Sequence, residues 1–412
     1  MNKNLVRNIG IIIPYSFFPP LGGGALRCFY VVKELSKYHN LVLFISEQEN
    51  MPEFVDWIES LKNVRYVIIL NSKNKTRTLL NKIKDRLRSG IHTNQFFQPT
   101  NQVFLDGFEL IRNEITNQKF DAFICENLDT LISFNKLLKK YQIPVVYEAH
   151  NVDSDLWLQM HLKTGNKQYL SNSKTALVTE KKLGNITDLV VTVTNNDKIR
   201  LSKLNTTRSV NIEVVESGVD TDLKIPAHQK NDDRFNILFC GNLEYEPNYE
   251  GLVWFYYSVL PLFKKFGILF KITVIGKLTN SDRYNFLKDS NDINFIGTVE
   301  SVNKYYHEAD VSIVPILSGS GIRLKITESL SFAVPVVSTT LGAEGIRENN
   351  AVLLADTPEE FVDSLISLYQ LGKMRRELGN EGREMILKYY DWKSLMSKFN
   401  NNILNIINTN TN

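Results

Sequence analysis

Residues 311–339 read Val311-Ser-Ile-Val-Pro-Ile-Leu-Ser318-Gly-Ser-Gly-Ile-Arg323-Leu-Lys325-Ile-Thr-Glu328-Ser-Leu-Ser-Phe-Ala-Val-Pro335-Val-Val-Ser-Thr339. The apolar run Val311–Pro315 predicts a strand. The small residues Ser318 to Gly321 make a loop with little side-chain bulk. A helix then begins near Ile322, since Ile322, Ile326 and Leu330 share one face at i, i+4 and i+8 and pack on a sheet. Val336–Ser338 predicts the next strand. Strand, helix and strand with near-continuous apolar strands is the unit of a parallel sheet covered on both faces.

The same alternation runs outward in both directions. Upstream, strands are predicted at Asn8–Ile13, Leu41–Ser46, Val64–Leu70, Phe120–Cys125, Val145–His150, Leu189–Thr194 and Ile212–Glu216. A polar stretch, Asp222–Arg234, holds Pro226 and no apolar period. A fresh series follows at Phe235–Cys240, Phe270–Ile275, Ile293–Ile296, Val311–Pro315, Val336–Ser338 and Val352–Ala355. The expectation is two doubly wound α/β domains facing across a cleft: residues 1–222, residues 235–390, and a helix at 391–412 that crosses back to the first domain. A chain of 412 residues is too long for one ordinary core, and two domains of roughly 200 residues each are the default.

Bulk properties exclude several classes. Hydrophobic residues at 43% and charged residues at 23% are those of a globular protein. A formal net charge of +3 is too small for a nucleic-acid binder. No run of 18 or more apolar residues is present, and Ile9–Pro14 is too short for a secretory h-region. Three scattered cysteines, Cys28, Cys125 and Cys240, each in an apolar run, read as buried thiols in a reducing compartment, hence a cytoplasmic protein.

In open α/β sheets ligands gather at the carboxyl ends of strands. After Val311–Pro315, the first-turn N–H groups near Ile322 suit a phosphate. Arg323 and Lys325 add two cations for a diphosphate, and Glu328 a carboxylate for sugar hydroxyls. The plain alternative is a surface helix with a Lys–Glu pair. After the first strand, Gly22-Gly23-Gly24 lets backbone approach a ligand closely, or serves as a flexible connector. After Val145–Tyr147, His150 is placed to donate to a sugar or acceptor. Glu148 either orients it or lies buried as an anchor. The pairs Asp153/Asp155 and Asp220/Asp222 are too short a pattern to mean metal, and Asp153/Asp155 are read as a helix cap.

The string from Ser318 resembles the donor-site signature of the retaining glycosyltransferases of family 4 (glycosyl transferases group 1). The likeness is to the subgroup reading G-x-G-x-R-x-K-x-x-E, then P-V-V-S-T and G-x-E-G, here Gly342-Ala-Glu344-Gly345. Gly241-Asn242-Leu243-Glu-Tyr245-Glu-Pro247-Asn248, Val215-Glu-Ser-Gly218-Val219-Asp220 and Tyr390-Asp391-Trp392 resemble further family segments in order. The resemblance implies the GT-B fold and sugar transfer from a nucleotide-diphosphate-sugar donor to a glycan or lipid-linked acceptor, with retention, as in bacterial surface polysaccharide biosynthesis. By resemblance Glu328 binds the donor ribose, Arg323 and Lys325 its phosphates, and Gly241, Asn242, Ser320, Gly321 and Ile322 line the donor. Gly23 and Gly24, with Arg27 as a weaker companion, touch phosphate and acceptor, and His150 belongs to the catalytic set. No metal and no cofactor are implied.

Two departures stand out. Many members carry a second glutamate where this chain has Ser320. The basic pair often found after the first strand of the second domain is absent, and Arg323 and Lys325 supply that charge. Ser320 supports the alternative of a catalytically inactive, glycosyltransferase-like binding subunit. A phosphorylase or epimerase is disfavoured, since no pyridoxal-lysine motif occurs. Finally, the basic residues of Lys73–Arg88 alternate with Leu79, Leu80, Ile83 and Leu87, a helical face. That pattern fits peripheral contact with an anionic membrane, or a surface helix packed on its own domain.

Overall fold

The computed structural model describes residues 6–20, 23–48, 51–70, 101–222, 233–288, 290–318, 324–347 and 350–410. The basic segment Lys73–Arg88 lies outside the described residues, as do Ser320, Gly321, Ile322 and Arg323. The chain divides into two compact units, Met1–Glu216 with Met396–Asn412, and Ser217–Leu395.

The first unit is built on seven parallel strands: β1 (Asn8–Ile13), β2 (Asn40–Ser46), β3 (Val64–Leu70), β4 (Ala122–Glu126), β5 (Val145–Ala149), β6 (Leu189–Thr192) and β7 (Asn211–Val214). Their order is β3-β2-β1-β4-β5-β6-β7. The chain winds outward from β1 to β3 and then returns to lay β4 beside β1, with Ile9 facing Leu41 on one side and Ala122 on the other. Helices cover both faces, so strand residues of either parity are buried. Ile11, Ile12, Phe44, Phe123 and Val146 are all fully buried. Each such side chain contributes about 1.5–3 kcal/mol relative to exposure.

The second unit carries β8 (Phe235–Cys240), β9 (Phe270–Ile275), β10 (Ile293–Gly297), β11 (Val311–Val314), β12 (Val336–Ser338) and β13 (Val352–Leu354). They are again parallel, in the order β10-β9-β8-β11-β12-β13. Every apolar run expected to be a strand is one, with ends within two residues of the expected ones. Each sheet therefore has a point where the winding reverses, between β1 and β4 and between β8 and β11. In open α/β sheets such a reversal point, at the carboxyl ends of the strands, is where ligands bind.

Between the units the assignment differs from the sequence expectation. Ser217–Asp222, expected at the end of the first domain, is held by the second unit. Val219 N–H donates to Tyr390 O (2.8 Å), Val219 bridges Asp391, and Thr221 Oγ1 donates to Asp391 Oδ1 (2.6 Å). A single bridge leaves no periodicity in sequence, which is why the polar stretch concealed it. The helix Trp392–Asn410 starts with Asp391 Oδ2 accepting from Ser394 N–H (3.0 Å). Its residues from Met396 onward belong to the first unit, where Arg7 Nη2 donates to Asn408 Oδ1 (3.0 Å) and Lys398 Nζ to Val214 O (2.6 Å).

Two further points concern local chemistry. The helix Asp153–Thr164 has Val152 at its N-cap with no side-chain cap bond, so Asp153 and Asp155 are first-turn acids and not the expected cap. Asp155 instead makes a two-pronged pair with Arg200 (2.7 and 2.8 Å). All three cysteines are buried and unpaired. No helix among the described residues is long and apolar enough to cross a membrane.

Candidate functional site

In the second unit the winding reversal brings together two loops. After β8 the chain turns through Gly241-Asn242, where Asn242 Oδ1 accepts from Glu244 N–H (3.0 Å), a local turn typical of asparagine. The Asn242 carbonyl accepts from Asn248 Nδ2 (2.7 Å), and Asn248 Oδ1 accepts from Lys325 Nζ (2.6 Å). Lys325 is the second residue of the helix Leu324–Ser331, which follows β11. Its ammonium thus spans the reversal point, from the β11 side to the β8 side. It sits 4.6 Å from the centroid of the Phe239 ring, a cation–π placement. A Cβ at Gly241 would lie 2.8 Å from Lys325 Nζ, so any larger residue there would displace the ammonium from this position.

Glu328 lies on the next turn of the same helix. Lys325 and Glu328 are neighbours, but the ammonium bonds Asn248, and Glu328 Oε2 accepts from Tyr306 O–H (3.4 Å). Tyr306 is fully buried and stacks on Phe332 with ring centroids 5.1 Å apart. Burial raises the Glu328 carboxyl to about 7, against the opposing pull of the Tyr306 hydrogen bond and the Lys325 charge. The expected apolar face is present, since Ile326 and Leu330 are both fully buried. The described part of this helix is Leu324–Ser331, and the expected start near Ile322 lies outside the described residues.

In the first unit a second cluster sits where β1 and β4 part. Gly23 and Gly24 are the first two residues of the helix Gly23–Leu35, so they form its opening turn and not a loop. His150 follows β5 directly. Its Nε2 lies 2.8 Å from Oε2 of Glu126, the last residue of β4. Glu126 is fully buried, while 18% of the His150 side chain is exposed. Burial works against the imidazolium, but the hydrogen bond to Glu126 and that residue's charge prevail and raise the His150 pKa above its ordinary value. With Nε2 engaged by Glu126, Nδ1 turns toward Gly24, where an added Cβ would lie 3.4 Å from it. Cys28 completes the cluster, its Sγ 3.0 Å from the Tyr15 hydroxyl. Burial and the Glu126 charge push the Cys28 thiol well up.

Of the two roles open to Glu148 in the sequence, the structure shows the buried anchor, and the His150 ring nitrogen Nε2 bonds Glu126 instead. Glu148 takes both prongs of Arg27, Nε to Oε2 at 2.6 Å and Nη2 to Oε1 at 3.1 Å. Arg27 Nη1 donates to the Glu216 carbonyl (3.1 Å). Arg27 is therefore an interior strut, and the expectation that it touches phosphate or acceptor is corrected. The residue that sequence reasoning missed is Glu126. A signal existed: a charged residue closes the apolar run Ala122–Cys125 at the carboxyl end of a strand, where ligands gather.

Two parallel doubly wound units with polar clusters at their reversal points define the GT-B class. Solved structures share the fold over nearly the whole chain. A sucrose-phosphate synthase from Thermosynechococcus elongatus superposes with a TM-score of 0.70 at 13% identity, covering 97% of this chain and 99% of that one. The Anabaena protein HepE, in complex with UDP and glucose, gives 0.67 at 12% identity, covering 97% and 100%. Among curated proteins, an uncharacterized 44.6 kDa protein in the cps region of Klebsiella pneumoniae is 25% identical over 306 residues, 68% of this chain and 74% of that protein. Residues 21–223 match the family model described as Glycosyltransferase Family 4, and residues 234–371 the model described as Glycosyl transferases group 1. The chain is a glycosyltransferase of the family-4 type.

Proposed function

We propose that this enzyme moves a sugar, with retention, from a nucleotide-diphosphate-sugar donor to a glycan or lipid-linked acceptor in surface polysaccharide assembly. The observation that carries the reading is Lys325, its ammonium held at the reversal point of the second sheet by Asn248, Phe239 and the bare backbone of Gly241. A cation so fixed serves the charge that grows on a leaving diphosphate, the main electrostatic task of such a site. Arg323 is the second cation in this proposal, with Ser320, Gly321 and Ile322 along the same entry to the helix. Glu328, one turn on, accepts the ribose hydroxyls, and Gly241 and Asn242 flank the nucleotide. In the first unit His150, oriented by Glu126, donates to the transferred sugar or acceptor beside Gly23 and Gly24.

Relatives support the chemical class. HepE holds UDP and glucose, which makes uridine donors the first to try. The cps-region relative supports polysaccharide assembly. The location proposed is cytoplasmic, with peripheral contact to anionic lipid through Lys73–Arg88. Liposome flotation with anionic lipid tests that contact. Binding should fall steeply with salt and with Lys82, Lys84 and Arg86 changed to Ser.

The central test is a thermal-shift screen of uridine, guanosine and adenosine diphosphates and their sugars, followed by donor hydrolysis and transfer with the stabilising donor. Turnover should persist in EDTA, because the phosphate charge is met by Lys325 and Arg323. Stabilisation by no nucleotide, or turnover that vanishes in EDTA and returns with Mg²⁺ or Mn²⁺, overturns this reading. Nucleotide binding without turnover would favour an inactive binding subunit.

A further inference from the structure

We propose that Cys28, Glu126 and His150 form a binding site for a thiophilic divalent cation of the Zn²⁺ class, and that its occupancy withdraws His150 from substrate. The blocking role rests on the reading of His150 given above; the cation site does not.

A thiol sulfur, a carboxylate oxygen and an imidazole nitrogen of these residues all lie within 4.8 Å of one another. It is the only such grouping of His, Cys, Asp and Glu among the described residues. Ligand atoms sit about 2.0–2.3 Å from zinc, hence about 3.2–3.8 Å from each other around a tetrahedral ion. The His150–Glu126 contact at 2.8 Å opens slightly to admit an ion, and small rotations bring the sulfur in. The three side chains come from three rigid elements, the helix Gly23–Leu35, the end of β4 and the residue after β5, so the set is preorganised.

A second observation is independent of that spacing. Glu126 is fully buried, and its Oε1 has no N–H or O–H donor among the described residues; the Cys28 thiol, a weak donor, is directed at the same carboxylate. An orphan carboxylate oxygen in the interior calls for a donor or a cation. A divalent ion suits it, because one thiolate and one carboxylate balance two positive charges while imidazole adds none. On binding, the Cys28 S–H bond breaks and an S–metal bond forms. The thiol proton and the Nε2 proton of the imidazolium leave to solvent, and His150 keeps its Nδ1 proton and ligates through Nε2 as neutral imidazole. Tyr15 O–H, 3.0 Å from the sulfur, then donates to the thiolate. The partly exposed His150 edge gives the ion its way in.

Ligand softness separates this site from a diphosphate-bridging one. Cys with His selects zinc-like ions, whereas Mg²⁺ prefers oxygen ligands. The site is therefore a brake on turnover and supplies no metal to the donor.

The experiment titrates tag-free, metal-stripped full-length chain with Co²⁺. We expect about one equivalent bound, with tetrahedral visible bands and a near-ultraviolet thiolate-to-cobalt charge-transfer band. In Cys28→Ser, with folding checked by circular dichroism, that band should vanish and binding weaken on the order of a hundredfold. Zn²⁺ should displace Co²⁺ and inhibit transfer by the wild type, a chelator should restore it, and Cys28→Ser should resist at the same Zn²⁺ concentration. Cobalt binding without the charge-transfer band, or a band that survives in Cys28→Ser, overturns the site. A band with uninhibited transfer overturns the blocking role and the reading of His150 with it. A metal-stripped wild type with no transfer from any donor tells against the glycosyltransfer reading alone, because the cobalt spectra do not depend on it.

Discussion

Arg27 and Glu148, 121 positions apart in the chain, close a two-pronged ion pair in the interior of the first unit, with each side chain only 1% exposed. The pair ties the first helix to β5, and Arg27 reaches on to the Glu216 carbonyl. Two charges taken out of water are stable only together, since either one alone is an uncompensated buried ion. Arg27→Ala or Glu148→Gln should therefore lower unfolding free energy by about 3–5 kcal/mol. The combined change Arg27→Met with Glu148→Leu should recover most of it. Urea denaturation measures both. Single variants within about 0.5 kcal/mol of wild type would show that the pair is not a strut.

For the leaving group, Lys325→Ala should lower kcat by about 10²–10³, or about 2.7–4 kcal/mol. Gly241→Ala should mimic part of this loss with every charge in place, because its Cβ would lie 2.8 Å from Lys325 Nζ and push the ammonium aside. Arg323→Ala should fall in the same range, and the double variant Arg323→Ala with Lys325→Ala should be less than additive, since both serve one group. Steady-state rates at saturating donor decide this. Wild-type kcat in Lys325→Ala would place the stabilising charge elsewhere.

Glu328→Ala should weaken nucleotide binding on the order of tenfold or more, the worth of one charge-assisted hydrogen bond. Burial holds this carboxyl at about 7, so much of it is protonated in mildly acidic solution. The ionised form accepts hydroxyls better, so affinity should rise with pH through about 7 and then level off. Calorimetric titration between pH 6 and 8 reads the slope. A Glu328→Gln variant should show a flatter profile, and equal slopes in the two proteins would remove Glu328 from the nucleotide site.

Stability of the first unit should fall with rising pH. Burial, then the charge of Asp153, raises Asp129 to about 8; burial, then the charge of Glu180, raises Asp153 to about 7. Both carboxyls hold protons in the folded chain that the unfolded chain has released above about 4. The stability they contribute is complete below about pH 4 and lost progressively as pH rises through about 7 and 8. Asp129→Asn should be more stable than wild type at pH 9 and differ less at pH 6. Thermal unfolding that is flat between those pH values would show that neither group is desolvated.

The strands were legible in the sequence because a sheet covered on both faces calls for near-continuous apolar runs, as in Leu41–Ile45. The proposed donor loop stands out in the sequence for a similar local reason. Small residues, two cations and a carboxylate fall within eleven consecutive positions, Ser318 to Glu328. Glu126 was not legible beside His150, since the two are 24 positions apart. Nor was the choice between the two roles of Glu148, because both place a carboxylate at the end of β5. Lys325 resisted reading in the same way. Its helix spacing points to Glu328, whereas its ammonium goes to Asn248, 77 positions away.

What the sequence determined by itself is periodic or local: which segments are strands, that both sheets are parallel, where the loops at their carboxyl ends fall, and which family the loops resemble. Such features depend on neighbours in the chain. What only the tertiary structure decided is the pairing of charges. Arg27 lies with Glu148 and not at a phosphate, His150 with Glu126 and Cys28, and Ser217–Asp222 with the second unit. Each of these depends on which strands lie side by side, β1 next to β4 and β4 next to β5. Buried polar groups take whatever partner that adjacency brings within hydrogen-bond reach, because leaving them unpaired in the interior is too costly.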